Sequence, residues 1–261
     1  MFLVLAFFSS CNFSSEKLEI ERAEKASHEK RYEESYKHYM RIIEKDPKAP
    51  VALKATSEAA RLAHYELKEF KSAIQLYKNL VLYSASEQER SFAQSKIAEI
   101  YFQSLNDYEN AVIEYNRLLD LPHSLQDEFT FRLAIAKSYF YMNNSFQAQT
   151  ELNQLEKKFT NKDQVFEILF LRANIMLTSK DLDGAIKVLR DLEKRDPERF
   201  KKELMGLVLA KCYEEQKNLL SAVDVLESMR SYYPRTEFLN RRIANLKERA
   251  ALLPGAKGLK K

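Results

Sequence analysis

The side chains that could perform catalysis or hold a metal ion are scattered along this sequence. The histidines lie far apart, and no cysteine or carboxylate accompanies them at the spacing of metal ligands; they are His28, His38, His64 and His123. Paired carboxylates such as Glu214 and Glu215 fall on stretches expected to be solvated. The sequence also lacks a glycine-rich phosphate loop, a GxSxG motif and an HExxH motif. These observations predict a protein that is not an enzyme and uses no cofactor or metal.

The two cysteines, Cys11 and Cys212, are too far apart in the chain to suggest a disulfide framework. Cys212 lies beside Ala210 and Tyr213 in a predicted amphipathic helix. We expect it to be a small core residue, and the alternative is a reactive thiol.

The N-terminal residues resemble a bacterial lipoprotein signal. Residues 2–8 form an unbroken apolar run, which is too short to span a bilayer but has the character of a secretory signal core. Ser9 and Ser10 precede Cys11 as small residues precede the lipidated cysteine of a lipobox. We predict a signal segment at residues 1–11 with lipidation at Cys11, and a polar tether at residues 12–17. The alternative is an uncleaved apolar N-terminus.

The charges of the chain are nearly balanced. It contains 42 Lys and Arg against 38 Asp and Glu, which gives a formal net charge of +4. Because phosphate binding needs concentrated positive charge, this balance argues against nucleic acid as a partner.

Small residues recur in two independent columns with a period of about 37 to 38 residues. The first column is Ala23, Ala60, Ala98, Ala136, Ala173 and Ala210, and the second is Ser35, Ala73, Ala111, Ala148, Ala185 and Ala222. Apolar and aromatic residues keep register with both columns at helical spacing, which predicts one buried face for each helix. A fixed period of this length predicts helical hairpins that stack on their neighbours.

We therefore predict an all-α fold built from about six helical hairpins and a C-terminal capping helix. The predicted repeats span residues 18–47, 51–85, 91–122, 129–160, 165–197 and 201–234. Residues 236–253 are predicted to form the capping helix, and residues 254–261 a disordered tail. Within the fifth repeat, residues 181–184 are expected to form the turn between the helices, and Pro197 is expected to close the repeat.

The repeat resembles the tetratricopeptide repeat (TPR) family. The residues that carry the resemblance are the first-helix pairs Ala98 with Tyr101 and Ala136 with Tyr139, and the second-helix pairs Ala73 with Tyr77 and Ala111 with Tyr115. It covers residues 18–234, although the period exceeds the family's usual length of about 34 residues. The resemblance implies a right-handed α-solenoid whose first helices line a concave groove.

In that fold, the resemblance implies, residues three before, one after and four after the first-helix alanine lie along the groove. The predicted partner-binding residues are Arg61, Phe102, Lys137, Phe140, Phe170 and Asn174. An apolar groove with a few polar groups suits an extended or helical peptide of another protein. Alternatively, the phenylalanines fill core between neighbouring first helices.

These features together predict a protein–protein interaction scaffold. Its layout is similar to that of TPR lipoproteins of β-barrel assembly and of the Tol-Pal system, which implies an outer-membrane lipoprotein that faces the periplasm. Asn12 after the cysteine is compatible with export to the outer membrane. The alternative is a cytosolic TPR adaptor or regulator without a lipid anchor.

Overall fold

The computed structural model describes residues 5–252, with side chains from Ser15 onward. Over these residues the chain forms helices joined by turns and contains no strand. The helices are α1 Leu5–His28, α2 Tyr32–Lys45, α3 Pro50–Arg61, α4 Phe70–Tyr83, α5 Glu87–Glu99, α6 Tyr108–Leu119, α7 Leu125–Tyr141, α8 Ser145–Lys158, α9 Lys162–Thr178, α10 Leu182–Arg195, α11 Pro197–Lys202, α12 Gly206–Glu215, α13 Leu219–Ser228 and α14 Thr236–Ala251. This confirms the predicted all-α repeat fold.

The chain divides into two compact units, residues 1–142 and residues 143–261. The first unit contains the hairpins α1/α2, α3/α4 and α5/α6, followed by α7. The second unit begins with α8 and contains the hairpins α9/α10 and α12/α13, with α11 before the second hairpin and α14 after it. In each unit, consecutive hairpins pack on one another, as expected for stacked repeats.

Small residues lie where helices of the first unit approach each other. Both alanine columns are fully buried there, at Ala60 and Ala98 on first helices and at Ala73 and Ala111 on second helices. In the first hairpin a serine takes the small position. Its Oγ donates a hydrogen bond of 2.8 Å to the Ala23 carbonyl oxygen, so the buried hydroxyl is satisfied.

The second unit has its own hydrophobic core. Ala173, Ala185, Ala210 and Ala222 are fully buried in it, together with leucines of α10 and α13. Cys212 is also fully buried, and burial raises the pKa of its thiol to about 11. Because the thiolate is the reactive form, the thiol is unreactive at neutral pH, as expected for a core residue.

A residue with positive φ follows the first helix at every repeat. These residues are Lys30, Lys68, Asn106, Asn143, Lys180 and Lys217, with φ between 51° and 65°. The turn of the fifth repeat was predicted at residues 181–184, but the residue with the left-handed conformation is Lys180, just before that segment. Asp181 instead caps α10 by accepting a hydrogen bond of 3.0 Å from the Gly184 backbone N–H.

Two first helices end in π-helical turns, Leu62–Glu66 after α3 and Ile100–Ser104 after α5. Each turn contains a hydrogen bond between residues five apart, such as the 2.9 Å bond from the Leu67 N–H to the Leu62 carbonyl oxygen. In these two repeats the alanine precedes the left-handed residue by eight positions, compared with seven in the others. The π turn therefore accommodates one inserted residue, which explains why the intervals between first-helix alanines that begin at Ala60 and Ala98 are 38 residues long and the others are 37.

The two ends of the chain and the end of the fifth repeat differ in part from the prediction. Residues 12–17, predicted as a tether, are helical and continuous with α1, while the Cys11 side chain lies outside the described residues. Pro197 does not end the fifth repeat but begins α11, because proline fits the first turn of a helix. The capping helix is present as α14, and the predicted tail at residues 254–261 lies outside the described part of the chain. Within residues 5–252, no helix is both long and apolar enough to cross a bilayer.

Candidate functional site

Exposed aromatic rings line the first helices of the first unit. We define the first-helix surface by Arg61, Tyr65, Phe92, Lys96, Glu99, Phe102 and Tyr141, which lie on α3, α5, α7 and the two π turns. Tyr65 is 39% exposed, and Phe92 and Tyr141 are each 51% exposed. Single exposed apolar side chains are common, but exposed rings grouped on consecutive first helices form a candidate binding surface.

Lys96 connects two neighbouring first helices on this surface. Its Nζ lies 5.7 Å from the Tyr65 ring centroid and 5.6 Å from that of Phe92. It also donates a hydrogen bond of 2.7 Å to Glu99. Burial favours the neutral amine, but the hydrogen bonds to Glu99 and Tyr65 outweigh it and raise the pKa of Lys96. The ammonium is therefore charged at neutral pH and is held between the two rings.

A second group of rings lies where α5, α6 and α7 meet. The Phe102 ring is 5.7 Å from Tyr108, 6.3 Å from Tyr115 and 6.0 Å from Tyr141, measured between centroids. Tyr108 and Tyr141 are stacked at 4.9 Å. Phe102 thus packs against the exposed ring of Tyr141 and is itself partly exposed.

The predicted binding residues of the first unit differ in accessibility. Arg61 is exposed and pairs with Glu58 at 3.1 Å, whereas Phe102, Lys137 and Phe140 are half-buried. The Phe140 ring lies 5.5 Å from that of Tyr141. These contacts are compatible with both interpretations of the phenylalanines, as groove residues and as core.

The other two predicted residues lie in the second unit. Phe170 is half-buried and packs against the core of that unit. Asn174 donates a hydrogen bond of 3.0 Å from Nδ2 to the Phe170 carbonyl oxygen, so part of its amide is used within α9.

Sequence reasoning missed Tyr65, Phe92, Lys96 and Tyr141. The prediction sampled the position four residues after each first-helix alanine, and in the second repeat that residue is His64, which is buried. Tyr65 and Tyr141 both lie five residues after their alanines, so a scan of that column for aromatic residues could have found them.

His64 is buried directly beneath this surface. Its ring stacks on Tyr65 at a centroid distance of 4.1 Å and meets the edges of Phe70 and Tyr77. Nδ1 is buried and has no hydrogen-bond partner among the described residues. Burial lowers the pKa of His64, so the ring is neutral at pH 7 and acts as an aromatic support for Tyr65. Within residues 15–252, no group of His, Cys, Asp and Glu could hold a metal ion.

Two repeat models match the chain. One, described as tetratricopeptide repeat protein 21 ARM repeat, matches residues 119–218. The other, described as tetratricopeptide repeat, matches residues 92–124 and 207–236. Neither describes a catalytic family, and TPR proteins act as protein-interaction scaffolds. The comparison with curated proteins gives no match.

The fold is also similar to solved structures. A tetratricopeptide repeat protein from Parabacteroides merdae ATCC 43184 matches with a TM-score of 0.59 and 15% identity, over 95% of this chain and 94% of that one. The structure of Naa15/Naa10 bound to HypK-THB matches with a TM-score of 0.54 and 18% identity, over 89% of this chain but only 39% of that one. At these identities the likeness concerns the fold alone. The repeat models therefore find tetratricopeptide-type repeats within residues 92–236, and the solved structures share the all-α repeat fold.

Proposed function

We propose that the protein is a non-catalytic scaffold that binds a segment of another protein on the first-helix surface. The observation that carries the proposal is the exposure of Tyr65, Phe92 and Tyr141 on consecutive first helices of one unit. Aromatic side chains are enriched in protein interfaces and supply a large share of their binding free energy. The expected partner segment therefore presents apolar side chains to these rings.

The polar groups of the surface would set the position of that segment. Lys96 and Glu99 form an ion pair between the rings, and Arg61 lies one helical turn before Tyr65. Charged groups at the edge of an interface contribute more to specificity and association rate than to affinity. Binding should therefore depend strongly on the rings and weakly on Arg61.

The experiment replaces Phe92 and Tyr141 by serine and compares quantitative affinity capture from an extract with capture by the unmodified chain. The matched control replaces Leu82 and Ile113, which are 68% and 48% exposed on the second helices α4 and α6. Proteins captured by the wild type and the control, but at least tenfold less by the Phe92/Tyr141 variant, support the proposal. Each captured protein that meets this criterion is then titrated against the purified variants.

Equal recovery of the captured proteins by both variants would place the binding site elsewhere. Circular dichroism and urea midpoints establish that both variants are folded. Since the replaced rings are about half exposed, we expect both midpoints to stay close to that of the wild type.

We also propose that the scaffold is anchored to the bacterial outer membrane through a lipid on Cys11 and faces the periplasm. The support is the sequence of residues 2–11, an apolar run followed by two serines and a cysteine. Acylation by two or three chains makes such an anchor stable, whereas a single chain binds membranes only marginally.

Expression of the chain in a bacterial host with a labelled fatty acid tests the anchor. Label should enter the wild type and a Cys212→Ser control, should be absent from Cys11→Ser, and should follow the protein into the membrane fraction. An unlabelled protein that remains in the soluble fraction would contradict the anchor and favour the cytosolic adaptor, while leaving the first-helix surface unaffected.

A further inference from the structure

A basic cleft lies between α9 and α10 in the second unit. It encloses about 630 Å³ and is lined by Arg172 and Met176 from α9 and by Lys187, Val188, Arg190 and Lys194 from α10. The cleft combines four cations with an apolar strip formed by Met176 and Val188, which are both half-buried.

Two of the four cations are already neutralised by neighbouring carboxylates. Arg172 pairs with Glu156 of α8 at 2.9 Å, and Arg190 pairs with Glu193 at 2.8 Å. The acidic residue of the lining, Asp191, pairs outside the cleft with Arg195 at 2.7 Å.

Lys187 and Lys194 are exposed, and neither forms an ion pair with any residue in the described part of the chain. The cleft therefore has an excess of positive charge that is available to a ligand.

The spacing of the two lysines limits the kind of ligand. Lys187 and Lys194 are seven residues apart, so they project from one face of α10 at a separation of about 10 Å along the helix axis. In a polyproline II segment, which has three residues per turn and rises about 3.1 Å per residue, side chains three residues apart lie on one side and are separated by about 9 Å. Met176 and Val188 form the apolar part of the lining and can contact an apolar side chain of a ligand.

We propose that this cleft binds an extended acidic segment of a partner protein. The segment binds in the polyproline II conformation, so that two carboxylates three residues apart pair with Lys187 and Lys194, while an apolar side chain of the segment packs on Met176 and Val188. This site lies in the second unit and does not depend on the first-helix surface. Because the charge pairs are exposed, binding weakens as salt increases.

The test uses fluorescence anisotropy with the full chain and a fluorescein-labelled peptide that has the core Glu-Leu-Leu-Glu. We expect the variant with Lys187→Glu and Lys194→Glu to bind at least tenfold more weakly than the wild type. The matched control, Lys202→Glu with Lys211→Glu, makes the same change in net charge at exposed lysines of the same unit and should retain binding. Since all four lysines are exposed, both variants should keep their urea midpoints.

Two further probes separate the named ligand class from general attraction to anions. Peptides with the cores Gln-Leu-Leu-Gln and Glu-Ser-Ser-Glu should each bind at least fivefold more weakly. The first lacks the carboxylates that pair with the lysines, and the second lacks the apolar side chains that pack on the cleft. The proposal is overturned if the acidic peptide does not bind, if both lysine variants bind it equally, or if a single-stranded oligonucleotide displaces it more effectively than unlabelled peptide does.

Discussion

Replacing Lys68 by glycine is expected to stabilise the protein. Lys68 has φ 58° in the turn between α3 and α4, and its exposed side chain makes no hydrogen bond or ion pair with the described residues. The left-handed conformation costs an L-residue about 1–2 kcal/mol, which glycine avoids. Glycine is also more flexible in the unfolded chain, which offsets about 0.5–1 kcal/mol of this gain. The expected net increase in the free energy of unfolding is about 0.5–1 kcal/mol.

The matched control is Lys78→Gly in α4 of the same hairpin. Lys78 is also exposed, but it lies inside a helix, where glycine costs about 1 kcal/mol. Urea unfolding followed by circular dichroism should therefore give midpoint shifts of opposite sign for the two variants, at an unchanged slope. If Lys68→Gly lowers the midpoint as Lys78→Gly does, the left-handed turn does not store the strain assigned to it.

Three other predictions concern the two cores. A Cβ on Gly206 would lie 2.7 Å from the sulfur of the fully buried Met229, so Gly206→Ala should lower the free energy of unfolding by about 1–3 kcal/mol, measured by urea unfolding. Ala136→Leu should cost a similar amount by overpacking, and faster hydrogen exchange should extend into the neighbouring hairpin; exchange confined to α7 would contradict the coupling. Burial lowers the pKa of His64, so the unfolded chain takes up this proton first and stability falls as the pH drops below about 6.5. As the pH is lowered below about 6.5, the melting temperature should therefore fall less in His64→Phe than in the wild type or in the exposed control His28→Phe. An equal dependence of the melting temperature on pH in all three proteins would exclude a contribution of His64 to acid destabilisation.

The alanine columns made the fold predictable. A small residue at a fixed period marks each place where two helices approach closely, and that requirement depends on local packing that every repeat reproduces. The structure shows the burial that this reasoning requires. The fully buried alanines include Ala98 and Ala111 in the first unit and Ala173 and Ala185 in the second.

The binding surface was less predictable because its accessibility depends on how each helix ends. The π turn after α3 buries His64 and leaves Tyr65 partly exposed, although both residues are aromatic and adjacent in sequence. Phe92 lies six residues before its alanine, outside the columns that the repeat pattern samples, so only the packed structure reveals its exposure.

By itself, the sequence determined the repeat, its period and the residues at which its helices meet, because these follow from side-chain size and spacing. Only the tertiary structure decided which lysines adopt left-handed turns, where inserted residues become π turns, and which aromatic rings and lysines remain free. Those outcomes depend on the surroundings of each residue, since Lys68 and Lys78 have identical side chains but occupy a strained turn and a regular helix.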